Sequence, residues 1–208
     1  MYQAHKRYHY GNLQSGPGFL VPAGGGVNMG FNFRATSGFV TDGAQVYVLP
    51  ADTYPTTRGG FTFGWVIVNN AVFGVDRSTG VDVRLAGINY TAGFNGTGLL
   101  ANTYFRVDLP AVGSYNIHLA MGDTFNQSGV AMRAEIRDTT TDLTFVVSGT
   151  PSAGNQWRDA AGTLLTDTTW PTSEVGVSKT FASTQLRLYA GNLTGTDITT
   201  MAHLRINQ

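Results

Sequence analysis

Apolar and polar residues alternate along much of this chain, and turn sequences separate the alternating segments. In the clearest segment, Phe105, Val107 and Leu109 alternate with Arg106 and Asp108. Successive side chains of a β-strand point to opposite faces, so a period of two indicates a strand with one buried face. The pattern therefore predicts a strand whose charged residues face away from the core.

Similar segments recur to the end of the chain, and no stretch shows a convincing helical period. Residues 61–68 are almost continuously apolar, which predicts a strand buried on both faces. We expect residues 41–208 to form an all-β, antiparallel two-sheet β-sandwich that is jelly-roll-like. The strands are predicted over residues 27–33, 44–49, 61–68, 72–75, 81–85, 104–109, 115–121, 130–136, 143–147, 175–181, 185–189 and 199–206.

Turn sequences and alternation refine this prediction. The turns at residues 76–80 and 110–113 each predict a hairpin between the strands that flank them. Alternation places His118 and His203 on outward faces. It also makes Glu135 part of an exposed charge ladder with the arginines two residues before and after it.

The first forty residues differ from the rest of the chain. Glycine and proline recur throughout them, and both residues disfavour helices and inner strands. No acidic residue precedes Asp42. We therefore expect residues 1–40 to form an extended N-terminal arm that gains its order from neighbouring molecules. Its proposed basic and aromatic contact residues are Tyr2, Lys6, Arg7, Tyr8, Tyr10, Phe19 and Arg34.

The composition excludes several classes of protein. Charged residues make up only 12% of the chain and the formal net charge is zero, whereas a protein that coats nucleic acid needs a basic excess. The absence of cysteine excludes a disulfide scaffold, a thiolate zinc site and a cysteine nucleophile. Neither a signal-peptide core nor a membrane-spanning apolar run is present, so we expect synthesis in the cytoplasm without export.

No catalytic or cofactor-binding motif stands out. Glycosidases generally need two carboxylates across the scissile bond, and the only glutamates are Glu135 and Glu174. The aspartates lie mostly at strand ends and turns, where the backbone favours this residue. The GxGxxA run at residues 96–101 lacks the strand and helix that a dinucleotide site requires. We therefore expect no enzyme activity, no metal and no cofactor. The loops at residues 76–82 and 138–142 leave a calcium site open, although turn formation explains their aspartates equally well.

Two tryptophans, Trp157 and Trp170, lie in a loop-rich stretch between residues 148 and 171. Loop aromatics can stack on sugars, and they also plug the open ends of sandwiches by burying a large area. Both interpretations stay open, and the first would make these two residues a sugar-binding platform.

Residues 105–123, FRVDLPAVGSYNIHLAMGD, resemble a hairpin common in jelly-roll carbohydrate-binding modules. In those modules this hairpin closes one edge of a sheet, and Gly-Asp ends its second strand. The resemblance implies a fold, and it supports an alternative function as a carbohydrate-binding β-sandwich, either a phage adhesin or a binding module.

The whole chain resembles accessory structural proteins of tailed-phage virions, which are cysteine-free, Gly- and Thr-rich, charge-poor β-sandwiches with a terminal arm. The resemblance implies a non-enzymatic capsid decoration, or cement, protein on the outside of the shell. Its partners would be the major capsid protein and copies of itself in a homo-oligomer. Its location would be the virion, without direct contact to nucleic acid or membrane.

Overall fold

The computed structural model describes residues 26–38, 44–68, 71–77, 82–91, 103–123, 132–141, 143, 145–149, 155–190 and 200–208. These residues form fifteen strands, one short α-helix, α1 (Trp170–Ser173), and a 3-10 turn at Val83–Leu85. The strands are β1 (Asn28–Phe33), β2 (Gln45–Val48), β3 (Thr56–Arg58), β4 (Phe61–Val66), β5 (Val72–Asp76), β6 (Gly87–Thr91), β7 (Tyr104–Asp108), β8 (Gly113–Asp123), β9 (Met132–Arg137), β10 (Phe145–Gly149), β11 (Gln156–Arg158), β12 (Leu164–Thr166), β13 (Val177–Phe181), β14 (Gln185–Ala190) and β15 (Thr200–Asn207). In this described part of the chain, no helix has the length and apolarity to cross a membrane.

The strands form two sheets, which confirms the predicted all-β sandwich. The first sheet runs β12-β11-β8-β15-β1-β2, with β13 also paired to β8, β6 to β15 and β5 to β6. The second sheet runs β10-β9-β14-β7-β4-β3. The described pairs are antiparallel except for β1 with β2, which is parallel.

Aromatic rings fill the core between the sheets. Phe31 and Phe33 of β1 meet side chains of the second sheet that point inward from β4 and β7. The centroids of the Phe33 and Phe105 rings are 5.0 Å apart, and those of Phe31 and Phe63 are 5.1 Å apart, both edge to face. This geometry is the one that the charge distribution of aromatic rings favours, and it fixes the two sheets against each other.

Strand β1 corrects one part of the predicted arm. It lies between β15 and β2, and its residues Phe31 and Phe33 are fully buried. Residues 28–33 therefore belong to the sandwich, because their alternating apolar side chains fill its core. Residues 1–25, which make up most of the predicted arm, lie outside the described residues, so an arm over that range stays a prediction.

The predicted hairpin at residues 104–121 is wrong in its pairing, although both strands and their buried faces are confirmed. Strand β7 belongs to the second sheet and β8 to the first, so residues 109–112 cross from one sheet to the other. The crossing is held by a hydrogen bond from the Tyr115 hydroxyl to the Ala111 carbonyl, 2.7 Å long. Alternation does not distinguish the two arrangements, because either one buries Val107 and Ile117 in the same core.

Two further predictions need correction. Residues 83–85 form a 3-10 turn instead of a strand, and β5 pairs with β6. The turn forms because the carboxylate of Asp82 accepts the Arg84 backbone N–H at 2.9 Å. Strand β4 is buried mainly on one face, since Thr62 and Val66 are only half-buried on the other.

The outer face of the first sheet carries a second, smaller apolar layer. This layer consists of Leu85, Ile88, Ala120, Trp157, Trp170 and Ala202, with Val75, Tyr90 and Leu165 at its margin. The 3-10 turn, the β11–β12 hairpin and α1 supply most of the covering side chains. The first sheet is therefore covered on both faces.

Candidate functional site

The outer face of the second sheet presents a group of polar and aromatic side chains. Strands β7, β14 and β9 point Phe105, Leu188 and Ile136 into the core, so the residues between these face outward. Tyr54 reaches over the same face from the segment before β3. We call this surface the Arg–Tyr face; it comprises Tyr54, Tyr104, Arg106, Asp108, Arg133, Glu135, Arg137, Gln185, Arg187 and Tyr189.

The strand register places three guanidinium groups in one row. Arg187 of β14 lies opposite Arg106 of β7 on one side and opposite Arg137 of β9 on the other. Like charges directly opposite each other destabilise a sheet. The row is therefore stable only because neighbouring side chains compensate its charge.

Tyrosine rings provide part of that compensation. The Arg106 guanidinium carbon lies 3.9 Å from the centre of the Tyr54 ring. Arg187 lies over Tyr104 at 5.3 Å and Arg137 over Tyr189 at 5.1 Å. Such cation–π contacts are worth about 0.5–1 kcal/mol each at exposed sites. They hold each planar guanidinium close to a flat ring.

The two tyrosines at the centre of the face also contact each other. The centroids of the Tyr104 and Tyr189 rings are 5.0 Å apart, with 38° between their planes. Burial is the main cause that raises the pKa of Tyr189 above its usual value, while the nearby Arg187 opposes it. The Tyr189 hydroxyl therefore stays protonated at neutral pH, where it can donate or accept a hydrogen bond.

Glu135 balances two of the arginines. Its carboxylate oxygens lie 2.7 Å from Nη2 of Arg133 and 2.7 Å from Nη2 of Arg137. The Glu135 side chain is only 2% exposed, so the predicted exposed charge ladder is wrong in that respect. The residue does point away from the core, but the two guanidinium groups enclose it.

Asp108 joins the Arg–Tyr face to a neighbouring cleft. It accepts hydrogen bonds from the Tyr54 hydroxyl at 2.9 Å and from Nε of Arg106 at 3.0 Å, and its side chain is still 34% exposed. Burial and then the Asp108 carboxylate raise the pKa of Tyr54. The cleft has a volume of about 360 Å³ and is lined by Met29, Gly60, Phe61, Thr62, Asp108, Leu109 and Pro110.

A close backbone approach positions Tyr54. The segment before it lies beside β4, where Trp65 donates to the Asp52 carbonyl at 2.8 Å and accepts from the Tyr54 N–H at 3.0 Å. Gly64 has a φ of +147°, and a Cβ there would lie 2.6 Å from the Tyr54 nitrogen. Only glycine fits this position, so Gly64 allows Tyr54 to lie across the sheet onto Arg106.

The predicted sugar platform of Trp157 and Trp170 is wrong, because both side chains are 0% exposed. The Trp170 indole N–H donates to the Leu119 carbonyl at 3.1 Å, and the Arg84 guanidinium lies 4.9 Å from its ring centre. Both tryptophans belong to the layer over the first sheet, so the alternative interpretation, a packing role, describes them.

Arg34 is the described member of the predicted contact residues of the arm. It follows β1 and forms an ion pair with Asp76 of the same chain, with 3.0 Å between Nε and the nearer carboxylate oxygen. The pair ties the end of β1 to the end of β5. The other predicted contacts of the arm lie outside the described residues: Tyr2, Lys6, Arg7, Tyr8, Tyr10 and Phe19.

The two histidines expected on outward faces have different environments. His118 is half-buried; its Nδ1 is 2.7 Å from a Glu174 carboxylate oxygen, and its Nε2 is 3.0 Å from the Asn116 amide nitrogen. Both ring nitrogens of His118 therefore have side-chain partners. His203 is buried instead, with Nδ1 donating to the Asn32 side-chain oxygen at 2.7 Å, and burial lowers its pKa to about 3.

The first aspartate of each loop in which the sequence left a calcium site open accepts hydrogen bonds from protein groups. The Asp138 carboxylate accepts backbone N–H groups from Thr140, Ala182 and Ser183, which lower its pKa despite its burial. Asp76 accepts from the Arg34 side chain and the Ala35 N–H. Within the described ranges, no three acidic or histidine side chains cluster as metal ligands. Asp142 is not among the described residues.

Sequence reasoning missed the Arg–Tyr face. The available signal was that arginines and tyrosines occupy the outward positions of three predicted strands, at 104–108, 133–137 and 185–189. What the sequence did not provide is the strand order β9-β14-β7, which places these positions side by side.

Comparisons with known proteins establish the fold alone. No family model matches the chain, and neither does any curated protein. Protein YXIM from Bacillus subtilis aligns with a TM-score of 0.53 and 16% identity over 87% of this chain, which spans only 40% of that protein. A family 35 carbohydrate binding module from Clostridium thermocellum aligns over 68% of this chain and 90% of its own, with a TM-score of 0.37 and 13% identity. The enzymatically active domain of tailspike protein 4 from bacteriophage CBA120 has a TM-score of 0.30 and 9% identity, over 81% of this chain and 23% of its own.

Proposed function

We propose that this β-sandwich binds carbohydrate without chemically altering it, through the Arg–Tyr face and the adjoining cleft. The observation that carries the proposal is the set of three tyrosine–arginine pairs displayed side by side on one sheet. Among the described residues, the apolar layer outside the central core lies on the other sheet. In the described part of the chain, no comparable layer lies over the Arg–Tyr face, so its side chains are better placed to contact a ligand than the buried Trp157 and Trp170.

The chemistry of the face suits a sugar. A pyranose ring has apolar C–H patches that stack on flat rings such as Tyr104 and Tyr189, and hydroxyls that pair with planar polar groups. Asp108 and the arginines supply those polar groups. Mutual contacts already hold them in place, so binding costs little side-chain entropy. The cleft of about 360 Å³ beside Asp108 has room for one or two sugar units.

A protein partner fits this surface less well. Cores of protein interfaces are enriched in apolar area, whereas the exposed large apolar side chains of the described residues all fall outside the Arg–Tyr face. They are Ile67, Val68, Phe73, Val112 and Val175, of which the first two follow β4 at its end. A ligand that uses many hydrogen bonds and flat stacking contacts is the better match.

The two carboxylates of the face argue for binding instead of hydrolysis. Asp108 accepts hydrogen bonds from Tyr54 and Arg106, and Glu135 accepts them from two arginines. A glycosidase needs one carboxyl group that donates a proton to the leaving group. Neither side chain is placed to do so, which supports a role without catalysis.

Binding to a glycan array tests the proposal, with Tyr104→Ala and Tyr189→Ala as probe variants. We expect each to weaken binding by about tenfold or more, which corresponds to about 1.4 kcal/mol, because the substitution removes the flat ring on which a sugar would stack. Tyr47→Ala is the matched control, because Tyr47 also stacks on an arginine, Arg58 at 3.9 Å, but at a different place in the fold. Equal glycan binding by all three variants, or no glycan binding by the folded wild type, would contradict the proposal.

The capsid-decoration hypothesis is a second proposal, and the basic, aromatic composition of residues 1–25 favours it. In this hypothesis the segment docks on the major capsid protein and on copies of this chain in the virion, and contacts of the arm and of the sandwich together stabilise the shell. Because β1 belongs to the core, the test is deletion of residues 1–25 only. We expect a folded protein that no longer joins particles; undiminished incorporation would contradict this role and leave the carbohydrate proposal untouched.

A further inference from the structure

We propose that the ligand of the Arg–Tyr face is an acidic glycan, one whose sugars carry carboxylate or sulfate groups. This inference rests on the proposed carbohydrate-binding function and adds the chemical class of its ligand. It comes from the charges on the face and from the position of Arg187 within it.

The Arg–Tyr face carries a formal surplus of positive charge. Its four arginines, Arg106, Arg133, Arg137 and Arg187, face two carboxylates, Asp108 and Glu135. The formal net charge of the whole chain is zero. The surplus of two charges is therefore a local property of this face, and it attracts an anion there.

Arg187 carries one of these two surplus charges, because it has no carboxylate partner among the described residues. The other arises because Arg133 and Arg137 share Glu135. Arg106 pairs with Asp108, and both Arg133 and Arg137 pair with Glu135. Arg187 donates instead to the neutral side-chain oxygen of Gln185, at 3.2 Å. In the described ranges of the chain, no carboxylate lies within ion-pair distance of Arg187.

The surroundings of Arg187 suit an anionic sugar more than an isolated anion. Arg187 lies in the middle of the arginine row, between Arg106 and Arg137. Its guanidinium also lies over Tyr104, whose ring contacts Tyr189. A carboxylate or sulfate on Arg187, bound through two parallel hydrogen bonds, would place its sugar ring beside two flat aromatic surfaces.

The first experiment uses the wild-type protein and pairs of polymers that share a backbone. Polygalacturonate is compared with its fully methyl-esterified form, which keeps the sugar and removes the charge. Hyaluronate and heparin are two further acidic glycans. Double-stranded DNA serves as a polyanion that is not a glycan. We expect at least one acidic glycan to bind. If polygalacturonate binds, its affinity should be at least about tenfold higher than that of its ester. The affinity for any acidic glycan that binds should fall as salt is raised.

The second experiment removes the charge of Arg187. Arg187→Gln keeps a planar hydrogen-bonding side chain, and we expect it to weaken binding of the acidic glycan by about tenfold or more. Arg205→Gln is the matched control, because Arg205 also lacks a described carboxylate partner but bonds to Asn28 on the first sheet, at 2.9 Å. We expect this control to bind as the wild type does.

The outcomes separate the two proposals. Equal affinity for charged and esterified polymers, with loss of binding in Tyr104→Ala, overturns the acidic ligand and leaves the carbohydrate function standing. Equal affinity for DNA and acidic glycans also overturns it, because charge alone would then explain binding. No retention on any glycan overturns both. If Arg187→Gln does not fold, the ester comparison and the salt dependence of the wild type decide the question.

Discussion

The two outer faces of the sandwich have similar sequence patterns but differ in burial. Each carries polar residues at alternate positions of long strands, with aromatic residues among them. On the first sheet, a second apolar layer includes Trp157 and Trp170 and encloses polar residues such as His203 and Asn32. On the second sheet, Tyr104, Arg187 and their neighbours stay partly exposed.

Among the described residues, the covering elements, and not the strands, decide which outer face is enclosed. The short elements between β10 and β13 are β11, β12 and α1. Strands β11 and β12 extend the first sheet beside β8, and their side chains and that of Trp170 in α1 form part of its outer apolar layer. On that face an aromatic side chain contributes to stability. On the other face, aromatic and charged side chains pair with each other and remain available. Substitutions should therefore affect stability on one face and binding on the other.

The largest effect is expected for Trp170→Ala. The ring is fully buried and its N–H donates to the Leu119 carbonyl, so its loss should lower the free energy of unfolding by about 3–5 kcal/mol. Urea denaturation measures this change. Trp170→Phe is the control and should cost less, since it keeps most of the apolar area. A stable Trp170→Ala protein that fails to bind glycans would instead support the hypothesis that the tryptophans form a sugar-binding platform.

The sequence predicted the strands better than it predicted their surroundings. Alternation in β7, β8 and β15 correctly identified Phe105, Ile117 and Leu204 as core residues. These inferences succeed because the period of two is a local property of the backbone. The same alternation correctly predicted that the side chains of Glu135 and His203 point away from the central core. It gave no information on which residues cover them.

Covering and pairing depend on residues far apart in the sequence. His203 is buried because Asn32 and Trp170, 171 and 33 residues earlier, lie against it. The row of three arginines forms because β14 lies between β9 and β7, an order that no local pattern specifies. The candidate site is therefore a property of the topology, whereas its separate parts are visible in the sequence.

A smaller loss of stability is expected for Glu135→Gln, a substitution on the Arg–Tyr face of the second sheet. The change leaves two guanidinium groups without their shared carboxylate, which is 2% exposed. Breaking a buried ion pair costs about 3–5 kcal/mol, and since both arginines are partly exposed we expect about 2 kcal/mol. Glu174→Gln is the control. The variant should also bind acidic glycans more tightly, because the positive surplus of the face rises; weaker binding together with full stability would contradict this account.

The pH dependence of stability should reflect the burial of His203 on the covered outer face of the first sheet. Burial lowers the pKa of His203 from about 6.5 to about 3, so below about pH 6.5 the unfolded chain binds a proton that the folded protein rejects. Stability should therefore fall as the pH drops, by at most about 1.4 kcal/mol per pH unit from this residue. Urea midpoints between pH 7.5 and pH 5 measure the slope. The His203→Gln variant should show a shallower slope over the same range, and an identical slope would show that His203 titrates normally.

The smallest change in stability is expected for Tyr104→Ala. Its ring is half-buried and contacts Arg187 and Tyr189 on an open face, so the variant should lose only about 0.5–1 kcal/mol in urea denaturation. The same substitution should weaken glycan binding by about tenfold or more, or about 1.4 kcal/mol. Trp170→Ala should show the reverse, with a large loss of stability and unchanged binding by the folded fraction. If Tyr104→Ala instead destabilised the protein as much as Trp170→Ala, the second sheet would also be covered, and its face could not be the binding surface.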